Sequence, residues 1–266
     1  MALLEWDRIG ERYYETGVDH GVLYLKDGRS VPWNGLRSVE EGSDSENAAF
    51  YLDGVKYLHR VSPGDFNGKL TALTYPDEFE EVVGTVEVGP GMYYYNQAPK
   101  MFNLSYRTKV GNDVDGVDHA YKLHILYNLV ATPDPANYQS LNDQVQPIDF
   151  SWTLNGTPPA TSGYRPTVHI CIDSRDADPF ILETIEGLLY GSATSNPRLP
   201  PLDEITTLMS MYGALVVVDN GDGTWTAIDL ADRYITMNSD TQFTIDNVDA
   251  TYSDVSTYTV STTTPD

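Results

Sequence analysis

The strongest constraint on this chain's fold is an alternation of apolar and polar residues with period 2, cut at short intervals by turn residues. Side chains of a strand point alternately to its two faces, so alternation gives one buried and one wet face. Phe150-Ser151-Trp152-Thr153-Leu154 alternates strictly, and Leu70-Thr71-Ala72-Leu73-Thr74-Tyr75 loosely. Asp53-Gly54 lies between Phe50-Tyr51-Leu52 and Val55-Lys56-Tyr57-Leu58. Asp-Gly supplies the positive φ of a tight hairpin turn, so this segment is a strong hairpin signal. A second hairpin is expected to join 214–218 to 224–228 through Asn220-Gly221-Asp222-Gly223. A third and longer one joins 103–110 to 120–127 across 111–118.

Two segments depart from period 2 and read as helix. In the first, Asp178 can cap, Pro179 fits the first helical position and Gly191 can close the end. Ile181, Leu182, Ile185, Leu188 and Leu189 then form one apolar stripe, which places a helix near 179–190. The second covers 202–212, with Ile205, Leu208, Met209 and Tyr212 on one face. Pro197-Arg198-Leu199-Pro200-Pro201 is the clearest linker. It suggests a main β domain over 1–199 and a helix–hairpin–strand segment over 200–266, packed on the same core. The expected class is mainly β with minor α, an α+β chain with a β-sandwich or barrel-like core and one or two flanking helices.

Charge narrows the partners. Against 39 Asp and Glu stand 16 Lys and Arg, a net charge of −23. Phosphate binding needs clustered cations, so specific nucleic-acid binding and adhesion to anionic membranes are both disfavoured. High negative charge serves solubility, and it also suits a surface past which DNA slides without sticking. The expected localisation is in solution: the first eight residues lack a basic start and a long apolar run, and no stretch approaches the roughly 20 apolar residues of a membrane span. The single Cys171 permits no internal disulfide. It sits in Val168-His169-Ile170-Cys171-Ile172, where a buried structural thiol is expected.

No catalytic motif emerges: Gly-x-Ser-x-Gly, P-loop and His-Glu-x-x-His patterns are all missing. His119 and His124 are five apart, which places them on opposite faces of one strand and disfavours a shared metal. No metal, cofactor or catalytic residue is expected. The loop Asn112-Asp113-Val114-Asp115-Gly116-Val117-Asp118 invites a calcium reading, but its Gly is misplaced and no Glu closes it at the twelfth position. A polar hairpin tip explains it better. Asp219-Asn220-Gly221-Asp222-Gly223 reads the same way. The acidic pairs Glu40-Glu41, Asp77-Glu78 and Glu80-Glu81 read as solvated loops and strand edges. Met92, Tyr93, Tyr94 and Tyr95, after Gly89-Pro90-Gly91, read either as a strand start in a buried sheet or as an inter-subunit contact, since Tyr and Met are enriched at interfaces.

Taken in order, several blocks resemble the major tail proteins of long-tailed bacteriophages. They are Trp6-Asp7-Arg8, Tyr13-Tyr14-Glu15-Thr16-Gly17-Val18-Asp19-His20-Gly21-Val22-Leu23-Tyr24, Val31-Pro32-Trp33-Asn34-Gly35-Leu36, Tyr51-Leu52-Asp53-Gly54-Val55-Lys56-Tyr57 and Thr74-Tyr75-Pro76-Asp77-Glu78-Phe79. The most distinctive is Leu104-Ser105-Tyr106-Arg107-Thr108 with Gly111-Asn112-Asp113 and Tyr121-Lys122-Leu123-His124. Tyr164-Arg165-Pro166-Thr167 and Gly221-Asp222-Gly223-Thr224-Trp225 complete the set. The resemblance implies a structural virion protein, not an enzyme, that forms rings, usually hexameric, stacked into a tube. Its partners would be itself and other tail proteins, with genomic DNA passing the lumen unbound. Its location would be the phage tail, after the host cytoplasm. Six chains at −23 would place about −138 on a ring before counterion screening.

Other readings stay open. A tail-end ring or other minor tail component would share the resemblance. A carbohydrate- or receptor-binding module could use Trp6, Trp33, Trp152 and Trp225 as stacking platforms. An enzyme using two of the many acids is the least supported, because no convergent acid, base or nucleophile set is visible.

Overall fold

The computed structural model describes residues 5–44, 47–53, 55–61, 65–138, 140, 147–192 and 195–210, with five further strands from 215 onward for which only the backbone is described. It divides into two compact units: 1–175 with 188–199, and 176–187 with 200–266.

The first unit is built on β1 (Tyr14–Leu25), β2 (Ser30–Pro32), β3 (Leu36–Asp44), β4 (Asn47–Leu52), β5 (Val55–Val61) and β6 (Asp65–Ala72). After α1 (Glu78–Val82) come β7 (Val86–Gly89), β8 (Met92–Tyr94), β9 (Phe102–Asn112), β10 (Gly116–Pro133), β11 (Phe150–Gly156) and β12 (His169–Asp173). The mainly β expectation holds. One antiparallel sheet runs β2-β1-β9-β10-β11-β6-β3, with β12 added beside β10. Two hairpins, β4–β5 and β7–β8, stand apart from it.

The 18-residue strand β10 organises this sheet. Its first part pairs β12 from Lys122 to Leu126, and its last part pairs β11 from Leu129 to Pro133. Between them the register on β9 slips, with Leu126 opposite Leu104 and Leu129 opposite Phe102. Asn128 takes the extra position with φ 50°, and its N–H donates to Asn103 Oδ1 at 2.8 Å. A bulge of this kind reverses which residues face inward. Leu126 therefore points to the core before it, and Leu129 and Ala131 after it.

The inner face carries Leu23, Leu70, Phe102, Leu104, Tyr106, Trp152 and Leu154. Phe79 of α1 is fully buried and meets Trp33 at 4.5 Å, Trp152 at 5.1 Å and Phe102 at 5.4 Å between ring centroids. The sequence pattern gave no sign of α1, which is only five residues long. It is helical because Phe79 and Val82, three apart, both reach the core.

Turn chemistry follows the residues. Leu52 pairs with Val55, as the Asp53-Gly54 signal requires, and Asp53 has φ 48°. The β9–β10 hairpin is tighter than expected, with Asn112 opposite Gly116. Asn112 Oδ1 accepts from the N–H groups of Val114 and Asp115. This Asx turn explains the acidic loop by turn formation.

In the second unit, α2 (Pro179–Tyr190) starts as expected: Asp178 Oδ1 accepts from Phe180 N at 2.9 Å and Ile181 N at 3.1 Å. Its last residues, from Leu188, belong to the first unit. Ile181, Leu182, Ile185 and Leu189 are buried, and Gly191 follows at φ 83°. The next helix, α3 (Leu202–Ser210), buries Leu202 and Ile205, while Tyr212 lies outside the described residues. Strands β13 (Leu215–Asp219) and β14 (Trp225–Asp229) form the second expected hairpin, its loop residues 220–224 again outside them. A three-stranded meander follows, of β15 (Ile235–Ser239), β16 (Gln242–Ile245) and β17 (Val248–Thr251).

Candidate functional site

Met92, Tyr93 and Tyr94 form β8, and Tyr95 follows it. They do not start a buried strand: among the described residues β8 pairs only with β7, Val86 opposite Tyr94 and Glu87 opposite Tyr93. Gly89-Pro90-Gly91 makes the turn, with Gly91 at φ 75°, where Pro followed by a positive-φ Gly suits a type II turn. Val86, Val88, Met92, Tyr93, Tyr94 and Tyr95 each expose 43–68% of their surface. The buried-sheet reading is thereby corrected. The four-residue β7 and three-residue β8 are too short to wrap a core of their own.

The base of this hairpin is firmly held. Thr85 N donates to Glu80 O, Gln97 N to Gly84 O and Lys100 N to Val82 O, at 2.8–3.0 Å. Gly84 has φ 79°, and a Cβ there would lie 2.2 Å from the Gln97 carbonyl oxygen. Only glycine lets the two chains approach so closely. Glu81 joins Arg29 and Lys100 nearby. Its carboxyl is held below its usual range, Lys100 being the first cause. Glu80 is pushed the other way by burial, then by Asp77 and Glu87, and its Oε2 has no hydrogen-bond partner.

A second constellation gathers polar groups on the sheet, with His124 buried, His169 half-buried and Glu41 exposed. Along the sheet β3 is three strands from β10, yet Glu41 of β3 reaches side chains of β9, β10 and β12 because the sheet curls on itself. The Tyr106 hydroxyl donates to Glu41 Oε1. The Tyr106 and His124 rings are parallel within 1°, with centroids 4.8 Å apart. His124 Nδ1 lies 3.0 Å from His169 Nε2 and 3.4 Å from Glu41 Oε1. His169 Nδ1 lies 3.1 Å from Glu41 Oε2, and Thr108 Oγ1 lies 3.0 Å from His124 Nε2. Burial first, then the adjacent His124, pushes the His169 pKa down, while Glu41 opposes them. A cavity of about 390 Å³ opens beside Glu41 and His169, lined also by Asp65, Phe66, Pro158 and Pro166.

Sequence reasoning compared His119 with His124 and missed this cluster. His119 turns to Asp115 at 2.8 Å and stacks on Tyr13. His124 meets His169, 45 residues away. Glu41 is exposed on β3, the last strand of the sheet order, as the strand-edge reading of Glu40-Glu41 expects, and Glu40 is not part of the cluster. No local spacing signals this meeting of three strands. Cys171 is exposed, which corrects the buried expectation. β12 pairs only with β10 among the described residues, which leaves its other edge uncovered. Local burial still raises the thiol pKa, away from thiolate reactivity.

Of the four tryptophans, Trp33 and Trp152 are 4% exposed and belong to the core, and Trp6 is 77% exposed. The Trp225 side chain lies outside the described residues. A cavity lined by Tyr75, Glu80, Tyr95, Asp134, Tyr138 and Trp152 holds only about 160 Å³, below the roughly 300 Å³ at which ligand pockets begin.

No family model matches this chain, and no curated protein matches it. Among solved structures, one similar chain comes from the sheath–tube complex of an extracellular contractile injection system in its extended state. It is 13% identical over 64% of this chain and 94% of that one, with a TM-score of 0.29. A second, from the sheath/tube terminator of such a system, is 14% identical over 64% and 99%, with a TM-score of 0.27. A third, from the tube-terminating cap of the anti-feeding prophage, is 12% identical over 65% and 97%, with a TM-score of 0.30. At these scores the likenesses carry no weight for fold or function.

Proposed function

We propose that the chain is a structural subunit of a phage-tail-type tube, a non-enzymatic building block that assembles with copies of itself into stacked rings. The observation that carries this reading is the β7–β8 hairpin. It displays six large apolar side chains to solvent on a base fixed by three backbone hydrogen bonds. A free hairpin of that size gains nothing by exposing Met and Tyr; covered by a neighbouring copy, those side chains become its anchors. Strands β2 and β3 end the sheet order among the described residues, and a strand at the end of a sheet can offer backbone groups to a neighbour.

The sequence resemblance to major tail proteins and the net charge of −23 agree with this assignment. A ring whose lumen carries carboxylates repels phosphates and lets DNA pass without binding. The glycan-binding alternative is weaker, because two of its four stacking candidates are core residues and the aromatic cavity is small.

Negative-stain microscopy of the purified chain tests the reading. Rings or stacked tubes with a central channel are expected, and a monomer that persists at high concentration would sink it. Copy number in a purified particle separates the abundant tube subunit from a scarce end ring.

A further inference from the structure

We propose that Glu41, His124 and His169 hold one divalent transition-metal cation of the Zn²⁺ class, a site independent of the assembly reading. The three residues each offer one ligand atom, and these atoms all lie within 4.8 Å of one another. Two ligands on a cation with bonds of about 2.0–2.1 Å sit about 2.9–3.4 Å apart at angles between octahedral and tetrahedral. His124 Nδ1 is 3.0 Å from His169 Nε2 and 3.4 Å from Glu41 Oε1. Two of the three ligand pairs thus already stand at coordination spacing, and the third lies within 4.8 Å.

The donor set chooses the cation. Two imidazoles and one carboxylate suit Zn²⁺, Co²⁺ or Ni²⁺. Ca²⁺ and Mg²⁺ prefer shells of oxygen. The cavity beside the cluster contributes Glu41 and Asp65 to its lining and neither Lys nor Arg among the described residues. It leaves room for water at the remaining positions, and the local charge favours a cation.

The surroundings fix the ligands. With no cation, one proton arrangement satisfies the whole cluster. Thr108 donates to His124 Nε2, and His124 Nδ1–H donates to His169 Nε2. His169 Nδ1–H and the Tyr106 hydroxyl point to Glu41. Binding through His124 Nδ1 moves that imidazole's proton to Nε2, and Thr108 rotates from donor to acceptor. Thr108 and Tyr106 are then positioning residues for His124 and Glu41.

The test uses the full chain, stripped with a chelator and titrated with Zn²⁺ in excess Mg²⁺, which masks the exposed carboxylates. One Zn²⁺ per chain is expected by calorimetry. The imidazole ¹⁵N resonances of two of the five histidines should shift in the unmutated protein. His169→Ala and Glu41→Gln, on partly exposed side chains, should each weaken binding more than about 100-fold, beyond the 10- to 100-fold expected for Thr108→Val. Cys171→Ser should leave binding unchanged. Three results would overturn the proposal. One is no stoichiometric binding and no histidine shift; another is binding that survives both ligand variants; the third is binding lost with Cys171.

Discussion

The β7–β8 hairpin and the Glu41–His124–His169 cluster invert the ordinary places of their residues. The hairpin leaves Met92 and three tyrosines in water, whereas the cluster sets one buried and one half-buried imidazole against an exposed carboxylate. Each inversion needs compensation. The hairpin is pinned at its base, so its apolar tip stays presented. Every cluster group has a partner within about 3.5 Å, which is the condition for keeping polar groups inside.

Breaking the shared support should have the largest effect. Phe79 carries the aromatic core from which the hairpin base departs. Phe79→Ala should cost about 3–5 kcal/mol in denaturant unfolding and reduce assembly and cation binding together. A retained midpoint would mean that the two regions do not depend on this core.

Tyr93→Ser with Tyr94→Ser should separate the regions. Two anchors of this kind are worth about 2–4 kcal/mol of association, a roughly 30- to 1,000-fold loss in self-assembly by sedimentation. Stability should change by less than about 0.5 kcal/mol, as for exposed positions, and cation binding not at all. Gly84→Ala asks whether the hairpin must be held. Its positive φ costs a residue with a Cβ about 1–2 kcal/mol before the clash with Gln97 is counted. Assembly should weaken although no apolar contact residue has changed.

The smallest effect is the pH dependence of the cluster. Burial pushes the His169 pKa below its ordinary value, so the unfolded chain takes up this proton at a higher pH than the folded one. The stability from neutral His169 is complete above the unfolded pKa of about 6.5. It is lost as pH falls through the lower folded pKa. Comparing Tm at about pH 7.5 and 5.5, the metal-free chain should lose more than His169→Gln does. Equal losses would place the acid sensitivity elsewhere.

Much of the fold was legible because its signals are local. Asp53-Gly54 marked a two-residue turn, and Asp178-Pro179 marked a helix start with both capping hydrogen bonds in place. The strict alternation at 150–154 put Trp152 and Leu154 inside. Where signals were weak, the reading slipped. α1 is too short to show a period, and Cys171 alternates like a core residue on a strand whose outer edge is bare. The tyrosine run was legible as a choice between core and surface, and its exposure was not.

By itself, then, the sequence determined the β-rich class, the Asp53-Gly54 turn, the Asp178 cap of α2 and an acidity hostile to phosphate, because each follows from neighbouring residues or from composition. Only the tertiary structure decided which tyrosines stay in water and which acid meets the two histidines. Glu41, His124 and His169 lie on three strands, and the bulge at Asn128 sets which parts of β10 face the core. Such meetings depend on register and sheet curl, which are properties of the paired strands together and are written in no single segment.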